Sequence, residues 1–180
     1  MDIRTQDPSL AGSFFLYSPR FITQAYLIDS GYTGDLAGRP YWKTMFDVYS
    51  VRFVITPFMQ FGGDLIPLVG LLLDDPDWTP VFISGNSVVF VQKGRDNGHV
   101  IETYGQRKED FIARLISVCN DMIRSTPGNA FPYIAKGDIL LRSGRLEEAL
   151  LSYRNALRVS PLNPAARSRI QQLEQMRNPR

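Results

Sequence analysis

The sequence predicts an α/β amino-terminal domain, a small mixed sheet with flanking helices, over residues 1–97. An all-α helical-repeat module follows over residues 98–180. Three observations carry this division. Hydrophobic periodicity alternates between strand and helix before the loop Gly94-Arg95-Asp96-Asn97-Gly98-His99, and only helical periodicity follows it. The charge changes sign near the same place: residues 1–100 hold seven Lys/Arg and ten Asp/Glu, net −3, whereas residues 101–180 hold thirteen and eight, net +5. In the second half, small residues, aromatics and a proline recur at the spacing of a helix–turn–helix unit of about 34 residues.

Composition narrows the function classes. With 44% apolar and 21% charged residues over 180 positions, the chain is neither disordered nor collagen-like. Cys119 is the single cysteine, so no internal disulfide forms. The longest apolar run, residues 66–73, falls far short of the about 20 residues a membrane span needs. Residues 1–7 lack a basic stretch followed by an apolar core, so no signal peptide is expected. Eleven of the thirteen basic residues in the second half are Arg, but none forms a cluster interleaved with stacking aromatics. Nucleic acid is therefore not an expected partner, and the arginines read as helix-surface charge.

The elements of the first half follow in order. Phe14-Phe15-Leu16-Tyr17 reads as a strand. Ser18-Pro19 starts a helix over 19–30 stopped by Gly31, with a strand over 25–29 as the alternative. Residues 31–38 are glycine-rich but match neither the dinucleotide nor the phosphate-loop spacing, so a flexible loop is expected. Trp42, Met45, Phe46 and Tyr49 form a helical stripe leading into a strand. That strand, residues 51–56, is β-branched and apolar, ends at Pro57, and reads as a buried central strand. Residues 65–73 favour a helix with Pro67 in its first turn, ended by Asp74-Asp75-Pro76. Residues 81–84 and 87–91 flank Gly85-Asn86, a hairpin signal, and the second run is apolar on both faces and so expected to be covered on both sides.

The second half predicts helices over about 107–125, 131–143, 146–160 and 164–177. Tyr133, Gly137, Leu140, Ala149, Tyr153, Ala156 and Pro161 fall at fixed spacing, with Gly144 in the turn between two helices. Gly137 and Ala149 are small where two helices approach closely, Tyr133 and Tyr153 fill the space beside them, and Pro161 stops the second helix. Residues 146, 149, 150, 153, 156 and 157 make one apolar face. This stretch, residues 130–163, resembles a tetratricopeptide repeat, departing from it at Lys136 and Leu140. Residues 107–124 then read as the second helix of a degenerate preceding unit, because Pro127 lies 34 residues before Pro161. Asn163-Pro164 opens a capping helix with Ala166, Ile170, Leu173 and Met176 on its inner side and a polar outer side that includes Arg167 and Arg169. In the tetratricopeptide family the first helix faces a concave groove. The resemblance implies a groove lined by Ile134, Asp138, Leu141 and Arg142, with Arg169 and Gln172 on the cap as neighbours. The competing reading is that these residues are solvated or pack on the α/β half.

A second resemblance covers residues 42–93. Residues 45–55 look like a helix-then-strand phrase, residues 72–78 like a short helix followed by proline, acidic residue and tryptophan, and residues 81–93 like a closing hairpin. This stretch resembles the soluble segment that follows the membrane spans of GT-C-type glycosyltransferase-like membrane proteins. The resemblance implies the soluble tail of a larger membrane-embedded parent, on the extracytoplasmic (periplasmic) side. It carries over no catalytic residue, because the family's acidic residues lie in loops among the spans. A free-standing chain would instead be a cytoplasmic adaptor.

The remaining chemistry is sparse. Asp74, Asp75 and Asp77, with Asp64, form the one acidic cluster; lacking the glycine and distal glutamate of a calcium loop, it reads as a solvated helix end. His99 has no ligand set around it, and Cys119 lies on an apolar helix stripe as a buried inert thiol. No catalytic, metal or cofactor residues are assigned. The expected function is a non-catalytic protein–protein interaction module, binding a protein or peptide, with a homo-oligomer left open. An extracytoplasmic accessory role that positions an acceptor or partner is the alternative.

Overall fold

A computed structural model describes Asp35–Leu36 and residues 39–177. The expected strand at 14–17, the element over 19–30 and most of the 31–38 loop lie outside the described residues. The chain runs β1 (Asp35–Leu36), β2 (Arg39–Pro40), α1 (Tyr41–Val48), β3 (Phe53–Pro57), α2 (Pro67–Asp74), β4 (Trp78–Ser84) and β5 (Ser87–Gln92). A single 3₁₀ turn at Arg95–Asn97 leads into α3 (Gly98–Tyr104), α4 (Lys108–Ser125), α5 (Phe131–Arg142), α6 (Leu146–Val159) and α7 (Pro164–Arg177). The fold is mixed α/β: a three-stranded antiparallel sheet, a two-stranded β1–β2 ribbon, and helices.

The sheet order is β3-β5-β4. The hairpin forms as its Gly85-Asn86 turn predicts, with Ser84 opposite Ser87. The Asn86 side chain pins the start of the following loop by donating to the Met59 carbonyl at 2.7 Å and accepting from its amide at 3.0 Å. Residues 51–56 do not form the buried central strand expected of them. The β3 strand is an edge, not the centre, and Phe53 and Ile55 are 45% and 66% exposed. The hairpin places β5 next to β4, and β3 takes β5's other side, so β5 is the central strand. Its Val88, Phe90 and Val91 are buried. Residues 51–56 read as buried because the outward positions of β3 are apolar too, which hides the alternation that marks an edge.

Pro67 sits in the first turn of α2, where its missing N–H removes no helical bond. Leu68, Val69, Leu72 and Leu73 of this helix are buried. Trp42, Phe46 and Trp78 stack edge to face beside it, with centroids 5.4 and 5.3 Å apart. The α4 helix presents Phe111, Leu115 and Cys119, spaced at i, i+4 and i+8, to the same core, and Phe111 meets Phe90 of β5 at 5.6 Å. Ala135 and Ile139 of α5 belong to this core as well. Packing is therefore continuous across residues 97 and 98, where the periodicity changes. Position 98 is also not simple loop: α3 begins there, after Asn97 bonds the carbonyls of Gln92 and Arg52.

The second core lies between α5, α6 and α7. Ala130, Ile134, Leu140, Ala149, Leu150, Tyr153, Ala156, Ala166 and Leu173 are buried in it. A Cβ on Gly137 would run into the Tyr153 ring, so the two helices meet as closely as they do because residue 137 has no side chain. Lys136 reaches across to Asn120 of α4 at 2.8 Å, tying α5 to the preceding helix. Asn163 caps α7 by accepting from the Ala166 amide. Two expected inward residues differ: Leu146 at the start of α6 is 49% exposed, and Met176 in the last turn of α7 is 70% exposed. Among the described residues no helix is long and apolar enough to cross a membrane.

Candidate functional site

The six residues predicted to line a groove separate into four that meet the α/β half and two that do not. Ile134, on the face of α5, is fully buried, and Asp138 one turn on is 9% exposed. What covers them is the loop between β3 and α2. The chain turns back on itself there: Met59 bridges Leu65, the Gln60 amide donates to the Asp64 carbonyl at 3.0 Å, and the Gly63 amide donates to the Gln60 carbonyl at 3.0 Å. Gly62 and Gly63 take φ of +117° and +97°, values that side chains disfavour. A Cβ on Gly63 would lie 2.7 Å from the Phe131 Cα and 3.1 Å from the Ile134 Cβ. The glycine thus allows the loop backbone to rest directly on the first turn of α5. Phe61 at the tip is 99% exposed, and its ring meets Phe131 edge to face at 5.6 Å.

Asp138 is the centre of the contact. Its Oδ2 accepts from the Leu65 amide at 3.0 Å. Its Oδ1 accepts from the Tyr153 hydroxyl at 2.7 Å and from Arg169 Nε at 3.0 Å. A buried carboxylate is costly unless paired and hydrogen-bonded; this one receives a donor from α6, a cation from α7 and a main-chain N–H from the loop. Burial, and then the Asp138 charge and hydrogen bond, push the Tyr153 phenol well above its ordinary pKa, so it stays a donor. Burial draws Arg169 down, but the charge and hydrogen bond of Asp138 together with Tyr153 and Asp64 outweigh this and hold the guanidinium above its usual value. Arg169 also lies 3.6 Å from Asp64 of the loop. It therefore turns inward as a groove neighbour and is not part of a solvated outer face.

Arg142 closes the other end. Its guanidinium lies against Gly70 of α2 and pairs with Asp74, which also accepts from Lys108 of α4 at 2.6 Å. Burial opposes ionisation of Asp74, yet the hydrogen bonds and charges of Lys108 and Arg142 outweigh it and hold its carboxyl below 3.8. Asp75, buried, pairs with Lys43 of α1, and its Oδ1 accepts the Asp77 amide. Asp74 and Asp77 are exposed at the end of α2, as expected of a solvated helix end, whereas Asp75 is buried. Asp64 and Asp74 are ion-pair partners of the helical half, and Asp75 ties α1 to the end of α2.

Leu141 and Gln172 complete the predicted set but stand apart from this contact. Leu141 packs partly buried in the second core, and Gln172 is exposed. The open groove expected from Ile134, Asp138, Arg142 and Arg169 is not seen: these residues meet Gly63, Asp64, Leu65, Gly70 and Asp74, so the competing reading, that they pack on the α/β half, describes them. Sequence reasoning missed Asp64, Leu65 and Gly63 as the occupants. The signal was the Gly62-Gly63 pair before a strand-to-helix connection, which marks a backbone that must approach something closely.

Other chemistry is modest. Burial pushes the Cys119 thiol up to about 12, leaving very little thiolate at neutral pH. His99 is exposed. Among the described residues no three metal-ligating side chains come together. A cleft of about 100 Å³ between α5 and α6, bordered by Lys136, Glu148, Leu151 and Asn155, is well below the volume of an ordinary small-molecule pocket. On the outer sheet face Ile55, Val89 and Phe82 lie directly opposite one another, and Ile55 and Phe82 are more than half exposed. The chain matches no protein-family model, no curated protein and no solved structure.

Proposed function

We propose that this chain is a non-catalytic protein-binding module of the tetratricopeptide type, with α5 and α6 as one full repeat. The α4 helix serves as the second helix of a degenerate preceding unit, and α7 serves as the cap. The observation that carries this reading is the occupant of the α5–α7 face. A main-chain N–H on Asp138 and carboxylates on Arg169 and Arg142 are the contacts an extended peptide makes, supplied here in cis. The close approach at Gly137, the buried Tyr153 and the inward turn of Arg169 support it. The test is to capture a partner with the full chain and map cross-links by mass spectrometry. Cross-links to α5 and α7 are expected. A partner whose cross-links fall only on the sheet would overturn the reading.

A second reading rests on the outer face of the sheet. The row Ile55–Val89–Phe82, exposed at Ile55 and Phe82 and half-buried at Val89, is an apolar surface of the kind that larger assemblies cover. It favours a chain that forms the extracytoplasmic part of a GT-C-like membrane parent and positions an acceptor or partner. The DNA upstream of the codon for Asp2 tests it: apolar spans encoded in frame support this reading, and a promoter or stop codon there contradicts it.

A further inference from the structure

The two edges of the three-stranded sheet differ in what closes them. At the β4 edge the Gln106 amide donates to the Pro80 carbonyl at 2.9 Å and the Gln106 side chain donates to the Val81 carbonyl at 3.0 Å. Pro80 has no N–H to offer there, and the ladder slips between Pro80 and Phe82. The β3 edge carries no such device, and its register fixes which main-chain groups face out. The Gln92 amide donates to the Arg52 carbonyl and the Phe58 amide donates to the Asn86 carbonyl, both at 2.8 Å. Hydrogen-bonded pairs alternate along an antiparallel ladder, so Val54 and Thr56 also bond inward to β5. The N–H and C=O of Phe53 and Ile55 therefore point away from the sheet, and among the described residues nothing bonds to them. Residues 53–57 carry no charge, and Phe53 and Ile55 are 45% and 66% exposed.

We infer that a second copy of the chain takes this edge, the two β3 strands pairing antiparallel about a two-fold axis at Val54 and joining the two sheets into one. The register is self-complementary. Across that axis Phe53 lies opposite the partner's Ile55. Both residues bond outward and neither is proline, so each such pair exchanges both of its main-chain bonds. The same pairing sets an aromatic ring against a β-branched side chain on the outer face and covers the two exposed apolar residues of β3. Moving the axis to Ile55 would leave the Phe53 carbonyl facing a proline, which has no N–H. Arg52, paired with Asp96, falls opposite the partner's Thr56, so no like charges meet. A pairing this short lies at the low end of interface sizes, under about 1,200 Å² in total, so the dimer is weak and reversible. The contact uses neither α5 nor α7, and it stands whatever those helices bind.

Sedimentation equilibrium of the full chain is expected to show a reversible monomer–dimer equilibrium, with a dissociation constant of about 10 μM to 1 mM. Ile55→Pro removes an outward N–H and no β3–β5 bond, and Ile55→Lys places a charge on the edge. Each is expected to weaken the dimer at least about tenfold with the circular dichroism unchanged. Val54→Cys tests the axis. Facing Cα atoms of a non-hydrogen-bonded pair lie about 4.5 Å apart, within disulfide range, so mild oxidation is expected to give a covalent dimer. Thr56→Cys, off the axis, is expected to give none, and Cys119 is buried and does not compete. Phe82→Lys, two strands away on the same face, is expected to leave the dimer intact. If Phe82→Lys abolishes the dimer as Ile55→Pro does, the copies stack by their faces and the inference is overturned. It is overturned equally if neither Ile55 variant weakens the dimer. A chain that stays monomeric to about 1 mM overturns it too. In that monomer, slow hydrogen exchange at the Ile55 amide would mean that the chain's own residues fill the edge, and fast exchange that the edge is left to a different partner.

Discussion

The two cores of this molecule are built on different terms. The core beneath the sheet gathers large side chains from α1, the β3–α2 loop, α2, β4, β5, α4 and one side of α5, including two tryptophans and four phenylalanines, and is held by apolar burial. The core among α5, α6 and α7 has alanines at four of its nine buried positions and lets helices approach closely around Gly137. It also encloses a polar knot, Asp138 with Tyr153 and Arg169. The first core tolerates approximate shape but not lost volume. The second depends on small residues staying small and on every donor of the knot keeping its acceptor. The knot also receives the Leu65 amide from the α/β half, so the second core is where the two halves recognise each other by hydrogen bond and charge.

Four substitutions or titrations break or sharpen that contrast. The largest effect belongs to the apolar core: Phe90→Ala, at a fully buried ring, is expected to cost about 3–5 kcal/mol in urea unfolding. Asp138→Ala removes the common acceptor of three donors and is expected to cost about 2–4 kcal/mol, whereas Asp138→Asn, which keeps an acceptor, costs less. Gly137→Ala adds a methyl group where the Tyr153 ring lies and is expected to cost about 1–3 kcal/mol, measured the same way; the same change at exposed Gly128 is expected to be near neutral. The smallest effect is in pH dependence. Cys119 titrates near 9.0 when unfolded and at about 12 when folded, so its contribution is fully present below pH 9.0 and is lost as pH rises from there towards 12. Cys119→Ala is expected to flatten the fall of the urea midpoint over that range, and the native thiol is expected to react with a thiol reagent only on unfolding.

How far the sequence reveals this arrangement follows from the range over which each signal acts. The hairpin at Gly85-Asn86, the Pro67 helix start and the four helices from 108 to 177 are local: their turn residues, caps and periodicity sit within a few positions of what they specify. The placement of β3 at the sheet edge is not local. Phe53 and Ile55 are apolar yet exposed, so the pattern of that strand matches a buried one. Ile134, Asp138, Arg142 and Arg169 are legible as positions on α5 and α7, but what they meet is not. Asp64 and Leu65 reach Arg169 and Asp138 across about a hundred and about seventy residues, and no periodicity records a pairing at that range. Gly63 advertised a close approach without saying to what. The α4 helix illustrates the same limit. Its stripe at 111, 115 and 119 is plain in the sequence, but whether it faces a neighbouring repeat or the sheet is decided by where β5 and Phe90 lie.

Residues 59–65 of the chain itself cover the α5–α7 face. Native-state hydrogen exchange at the Leu65 amide tests that contact most directly, because that amide's acceptor is Asp138 on the opposite half. Leu65 is expected to exchange far more slowly than the exposed Phe61 four residues away, and Asp138→Ala is expected to bring the two rates together. A Leu65 amide that exchanges as fast as Phe61 in the unaltered chain would mean that the loop does not rest on α5, and the face would stand open.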